Sequence, residues 1–314
     1  MGIKSFLKLV EIKTKAASMN PFLLGTVFTY YRYRQLKWEN FLLMLISLLC
    51  FDMTTTAINN YMDYKKAKKK EGFGYEQHNA IVRDNLSESH VVAVILILLV
   101  LAVLFGIFLY LRTSLIVLII GIISFGVGIF YTFGPVPISR IPLGEFFSGF
   151  FMGFVILFLS VYIHITDLDI MELFLKNGVL YFHVNLEEIA ILFLVSLPAF
   201  MGISNIMLAN NICDMEEDYE NHRYTLPLYI GRKKALALFQ ALYVIAFLDI
   251  LLLIISGVLP ITVIPELFLI FPVYRNTSVF LERQSKKDTF SISIKNFLLI
   301  NIGLIILLIP GIFL

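Results

Sequence analysis

Nine apolar stretches, several close to the roughly 20 residues that carry a helix across a bilayer, dominate this chain. They lie near Ala16–Tyr31, Phe41–Ile58, Val91–Leu111, Leu115–Phe133, Phe146–Ile165, Ile189–Ala209, Ala235–Ser256, Val258–Val273 and Phe297–Leu314. Hydrocarbon offers a backbone amide no partner, so a segment inside it must bond to itself, and separate apolar runs do so as helices. With 59% of 314 residues hydrophobic, a soluble domain would have nowhere to hide its apolar surface. The expected fold is therefore an all-α, polytopic membrane protein of about nine transmembrane helices, forming one domain over residues 1–314.

Charge sets the expected orientation, because Lys and Arg concentrate in cytoplasmic loops. With the N-terminus in the cytoplasm, nine crossings put 20 of the 25 basic residues on that side and leave Arg32, Arg34, Lys37, Arg112 and Lys176 outside. No cleavable signal is expected, since Lys4, Lys8, Lys13 and Lys15 precede any long apolar run. Cys50 and Cys213 are the two cysteines, too few for a disulfide framework or a Cys-based metal site, and the five His are scattered. The outer loop Asp167–Glu188 reads as a solvated acidic connection, and Gly257 and Pro260 as a tight turn between the seventh and eighth segments. No nucleic-acid partner is expected, and the sequence leaves the oligomeric state open.

Two apolar runs end in the same polar pattern. Asn59–Asp63 reads NNYMD and Asn210–Asp214 reads NNICD. In the alternating topology both lie on the cytoplasmic side, as two walls of one site. Five carboxylates fall between Asp214 and Glu220, and helical continuation would put Asn210, Asp214 and Asp218 on one face. Clustered acids at a membrane surface repel one another until a hard cation sits among them. Mg²⁺ takes oxygen ligands, keeps several waters and bridges one or two carboxylates to phosphate. Asn59, Asp63, Asp214 and Asp218 are the candidate ligands, with Asp214 and Asp218 expected to carry most of the metal.

Lys65, Lys66, Arg83 and Arg223 interleave with these acids and suit the oxygens of a diphosphate. A diphosphate at a membrane portal above an interior with 29 Phe and 15 Tyr points to a lipid diphosphate whose tail lies among the helices. Departure of that diphosphate would leave an allylic cation that aromatic faces stabilise. Asp52 precedes Asn59 by seven residues and Asp63 by eleven on the same face, about 16 Å deeper than Asp63. An acid at that depth is a functional candidate, a base or orienting group for an acceptor hydroxyl. The alternative is a protonated Asp bonded to a neighbouring helix. Asp63 and Asp214 complete the expected catalytic set. A non-catalytic transporter or lipid-binding scaffold is the competing class, and it would place weight on Asp52, Asp249 and Glu266.

These residues resemble the UbiA superfamily of intramembrane prenyltransferases. Its first motif, N-D-x-x-D, is matched at Asn59 and Asp63, with Asn60 where Asp is common and Ala67 in place of a further acid. Its second, D-x-x-x-D, is matched at Asp214 and Asp218. The segments Tyr131–Pro137 (YTFGPVP), Leu143–Glu145 (LGE), Thr225-Leu226-Pro227 and Gly231-Arg232 look like the branch that prenylates 1,4-dihydroxy-2-naphthoate. That resemblance implies Mg²⁺-dependent transfer from a polyprenyl diphosphate to an aromatic acceptor in a cell membrane, with the active site facing the cytoplasm. It also implies a pocket for acceptor and prenyl chain, for which Asn60, Tyr131, Asn210 and Asn211 are the candidates. Sibling enzymes act instead on 4-hydroxybenzoate, homogentisate or heme.

Overall fold

A computed structural model describes residues 1–66, 79–132, 134 and 137–314. Lys68, Lys69 and Lys70 of the expected basic loop, and Phe133, Pro135 and Val136 of the Tyr131–Pro137 segment, lie outside the described residues. The principal helices are α1 (Ala16–Tyr33), α2 (Trp38–Lys66), α3 (Glu88–Arg112), α4 (Leu115–Thr132), α5 (Gly144–Tyr162), α6 (Leu186–Cys213), α7 (Arg232–Ile255), α8 (Ile270–Glu282) and α9 (Ser291–Gly311). Each of the nine apolar stretches is thus at least partly helical. Among the described residues six helices, α2, α3, α5, α6, α7 and α9, are long and apolar enough to cross a membrane, while Leu115–Tyr131 is apolar but shorter.

Two features depart from the expectation. The eighth stretch, read as Val258–Val273, begins as 3₁₀ helix over Ile261–Leu269 and becomes α-helical only in α8, which runs on to Glu282. Pro260 and Pro265 lack the amide hydrogens that would close a regular α-helix there, and Gly257 turns the chain at a φ of +72°. The loop Asp167–Glu188 is not plain solvated coil, so the chain is mostly rather than wholly helical. It forms an antiparallel hairpin of β1 (Met171–Lys176) and β2 (Val179–Val184), paired from Met171↔Val184 to Lys176↔Val179. The turn residues Asn177 and Gly178 both have positive φ, 52° and 76°, the backbone that a two-residue hairpin requires.

The chain divides into two compact units. Met1–Ala16 and Trp38–Ile129 make the first, where α2 packs along α3 and Ser47 Oγ donates to the Ala102 carbonyl at 2.8 Å. Its N-terminal turn of helix, Ile3–Leu9, sets Leu9 against Ala57, Ile81 and Val91. Phe51 stacks on Phe125 with ring centroids 3.9 Å apart.

Ala17–Lys37 and Phe130–Leu314 make the second unit, arranged around α6, which packs against α5, α7 and α9. Residues Gly149–Val155 of α5 are wound as π-helix, and a side chain at Gly153 would place its Cβ 2.6 Å from Phe200 Cα. The α5 and α6 backbones therefore touch, a contact only glycine permits and one that membrane bundles favour. Phe146, Phe150, Phe154 and Phe158 follow one another along α5, and Phe193 and Phe200 of α6 join them. Much of the Phe content is thus spent on packing one helix against the next. Gly153→Leu should lower stability by about 2 kcal/mol through overpacking, read as a fall in the thermal midpoint in detergent. Gly121→Ala, whose methyl meets nothing within 4 Å, should leave the midpoint unchanged.

Candidate active site

The first motif occupies the last two turns of α2, within the first unit. Asn59 is half-buried and Asp63 exposed. Asn60 has its amide engaged elsewhere than a pocket: Nδ2 donates to the Leu9 carbonyl at 2.9 Å and to Glu11 Oε1 at 3.3 Å, while its own carbonyl accepts from Asn79 at 2.8 Å. Its place in the motif thus ties α2 to the N-terminal segment. Lys65 pairs with Glu88 at 2.5 Å and lies over the Tyr61 ring, and Arg83 pairs with Asp84 at 2.9 Å. The Lys65–Glu88 pair is well exposed, where exchange of one anion for another costs little, whereas the Arg83–Asp84 pair is partly buried. The Lys66 side chain lies outside the described residues.

Asp52 has a partner that no local sequence pattern marks. Its Oδ1 accepts from Lys15 Nζ at 2.5 Å, and the same ammonium reaches the Asp52 carbonyl at 3.1 Å and Thr56 Oγ1 at 2.6 Å. Lys15 is almost fully buried. Asp52 is thus half of an ion pair with the buried Lys15, and the pair docks the N-terminal segment on α2. Asp52→Asn leaves the Lys15 charge short of its partner and should cost about 3 kcal/mol, measured as loss of unfolding midpoint.

The second motif lies at the end of α6, within the second unit. The helix ends at Cys213, yet Asp214 N still donates to the Asn210 carbonyl at 3.0 Å and Asp218 N to the Asp214 carbonyl at 2.7 Å. The i, i+4 spacing survives the change of helix. It sorts the acids: Asp214 (8% exposed) and Asp218 (1%) point inward, whereas Glu216, Glu217 and Glu220 face solvent. Asp214 Oδ2 meets Lys286 Nζ at 2.5 Å. Asp218 Oδ1 meets Arg223 at 3.3 Å, and its Oδ2 accepts from Thr225 Oγ1 at 3.3 Å. Lys286, from the loop between α8 and α9, carried no sequence signal beyond its charge.

Two more residues complete this end of the unit. Asn211 is buried and its Nδ2 donates to Glu145 Oε1 at 2.8 Å, while Ser204 Oγ donates to the Glu145 carbonyl. Glu145, part of the LGE segment, is thus a buried carboxylate 66 residues from Asn211 in sequence and joined to the second motif through it. Tyr131, at the end of α4, accepts from Ser148 Oγ at 2.8 Å and donates to the Gly144 carbonyl at 3.4 Å. Asn210 is half-buried on the face of Asp214.

Among the described residues no three His, Cys, Asp or Glu side chains gather in metal-binding geometry. The donors of the second motif are two carboxylates, all oxygen, already balanced by a Lys and an Arg. That set fits Mg²⁺ in its usual manner, with one or two carboxylates from the protein and the remaining ligands from water and phosphate. It does not fit a closed structural site of the zinc kind. Burial pushes the Asp218 carboxyl up; Arg223 lowers it and Asp214 raises it again. An acid raised in this way stabilises the fold below its unfolded pKa and loses that contribution as pH rises through its folded value. Asp218→Asn should therefore raise the thermal midpoint near neutral pH, and the gain should vanish as the pH falls into the carboxylate range.

The family model for the UbiA prenyltransferase family matches residues 18–302. The chain is 32% identical over 267 residues to the 1,4-dihydroxy-2-naphthoate octaprenyltransferase of Bacillus subtilis, covering 84% of this chain and 76% of that protein. In fold it is similar to a UbiA homologue from Aeropyrum pernix (TM-score 0.67, 16% identity, 98% of each chain). It is likewise similar to a UbiA homologue from Archaeoglobus fulgidus bound to DMAPP and Mg²⁺ (TM-score 0.64, 13% identity, 99% of each chain). A helix bundle with an acid pair at the end of α6, matched by the family model over nine-tenths of its length, makes this chain a member of the UbiA prenyltransferase family of membrane enzymes.

Proposed function

We propose that this enzyme transfers a polyprenyl group from a polyprenyl diphosphate to the ring of 1,4-dihydroxy-2-naphthoate, in menaquinone biosynthesis; a Bacillus subtilis relative bears the name 1,4-dihydroxy-2-naphthoate octaprenyltransferase. The observation that carries the reading is the inward pair Asp214 and Asp218, each neutralised by a cation from a different loop. A diphosphate arriving there takes its negative oxygens to Lys286 and Arg223, which frees the two carboxylates to hold Mg²⁺. Asn59 and Asp63 of the first motif complete the ligands, and Lys65, Lys66 and Arg83 bind further diphosphate oxygens. Bound Mg²⁺ supplies charge stabilisation for the departing diphosphate.

The reaction balances without an oxidant or a covalent enzyme intermediate. The C–O bond of the donor breaks and its electron pair leaves with the diphosphate. The ring carbon bearing the carboxylate forms the new C–C bond, and loss of that carboxylate as CO₂ returns an electron pair to the ring. The candidates for the pocket of acceptor and prenyl chain are Asn210, Asn60 of the first motif, Tyr131, which bonds Ser148 and Gly144, and Asn211, which bonds Glu145. The topology that suits this reading has nine crossings, the N-terminus in the cytoplasm and the active site on the cytoplasmic face of the cell membrane.

Purified enzyme given polyprenyl diphosphate and dihydroxynaphthoate should release the prenylated, decarboxylated product, identified by mass spectrometry, and EDTA should abolish turnover. Asp63→Ala and Asp214→Ala should each reduce turnover by at least about 100-fold, the order expected for loss of charge stabilisation of a leaving group. Prenylation of 4-hydroxybenzoate or homogentisate in its place would overturn the acceptor assignment, and full turnover in both variants would overturn the site.

A further inference from the structure

The hairpin between α5 and α6 has two chemically distinct faces. Strand residues alternate sides and cross-strand partners share one. Met171, Leu173, Leu180, Phe182 and Val184 therefore share one face, and every one of them is apolar. The opposite face carries the pairs Glu172↔His183, Phe174↔Tyr181 and Lys176↔Val179, with Phe174 and Tyr181 stacked at 5.3 Å. The apolar face is not folded away: Leu180 and Phe182 are each 64% exposed. In an aqueous loop such a surface would be a liability for aggregation.

Its attachment determines what covers it. Tyr162, the last residue of α5, donates its hydroxyl to the Met171 carbonyl at 2.7 Å. Asn185, which caps α6 by accepting from Glu188 N at 3.2 Å, donates its backbone amide to the Ile170 carbonyl at 2.8 Å. The root of the hairpin is thus bonded to the ends of two helices that are long and apolar enough to cross the membrane. Six-residue strands reach about 20 Å, so the hairpin stays near the plane where those helices leave the hydrocarbon. Leu186, in the first turn of α6 and two residues beyond Val184, is 76% exposed, so exposed apolar side chains run from the hairpin into the start of a helix long and apolar enough to cross the membrane.

We propose that the hairpin is an interfacial membrane anchor, lying on the leaflet at this end of α5 and α6. Met171, Leu173, Leu180, Phe182 and Val184 enter the acyl-chain boundary, and Glu172, Lys176 and His183 remain among headgroups and water. The occupant of the face is lipid, in the manner of monotopic amphipathic elements, and the anchor fixes how deeply α5 and α6 sit.

Trp38 is the chain's single tryptophan, so a Trp38→Phe background makes the test direct. In that background, Phe182→Trp and His183→Trp put one fluorophore on each face at adjacent positions. In phosphatidylcholine vesicles, acyl-chain-brominated lipid should quench the Phe182→Trp protein at least about threefold more strongly than the His183→Trp protein, as insertion of one face requires. Aqueous iodide should show the reverse order. Leu180→Trp and Val179→Trp repeat the comparison should either first variant unfold below the midpoint of the background protein. Equal quenching on both faces by either agent would overturn the proposal. So would protection of the Phe182→Trp fluorophore from both quenchers that disappears on dilution into excess lipid, which would assign the face to a second copy of the chain.

Discussion

A charge inside or beside hydrocarbon must be met by another charge or by water, and this requirement shapes the polar architecture of the molecule. The helices themselves follow from the same solvent, since an apolar run in lipid has no backbone partner but its own preceding turn. Several of the charged groups then admitted come as matched pairs, Lys15 with Asp52, Asp214 with Lys286, Asp218 with Arg223 and Arg32 with Glu188, whereas the buried carboxyl oxygens of Asp249 and Glu266 have no hydrogen-bond partner among the described residues. These pairs differ in the exposure of their cation. Lys15 is sealed in, with an ammonium that bonds three acceptors. Lys286 has a side chain more than half exposed, so it can exchange its carboxylate for an incoming anion. A buried pair fixes structure, and a pair with one mobile member holds acids ready for a ligand.

That distinction accounts for the asymmetry between the two Asp-rich segments. Asp214 and Asp218 are kept inward by helical spacing that persists through the break at Cys213, and Asp218 N to Asp214 O is the bond that preserves it. In the first segment the second Asn has become a structural tie, spending its amide on Leu9 and Glu11. A carboxylate at position 60 would offer no hydrogen to the Leu9 carbonyl and would stand beside Glu11. The replacement of Asp by Asn at this position is therefore matched by the way the N-terminal segment docks.

Much of the fold was legible because long apolar runs have few alternatives in a membrane. The acid pair was legible because i, i+4 spacing is a property of the helix alone. What the sequence concealed depends on contacts distant along the chain. Lys15 and Asp52 are 37 residues apart, Asp214 and Lys286 are 72 apart, and Asn211 and Glu145 are 66 apart. No local pattern marks those partners. The hairpin was concealed for another reason. Its strands are two six-residue runs of largely apolar sequence, MELFLK and VLYFHV, too short to show a clear period, and the Asn177-Gly178 turn was the one local signal. The eighth helix was misplaced because Pro260 and Pro265 delay regular α-helix until Ile270.

The engagement of Asp52 also bears on the chemistry. An aromatic substitution at a ring C–H needs a base to take the proton and restore aromaticity, and a deep acid would be the natural candidate. A carboxylate already accepting a hydrogen bond from Lys15 is poorly placed for that work, and its partner is buried too well to leave. Prenylation at a carbon that carries a carboxylate removes the need, because CO₂ departs where a proton otherwise would and leaves the electron pair behind. Such a carbon needs no carboxylate of the enzyme as base, so the engagement of Asp52 with Lys15 is compatible with that chemistry.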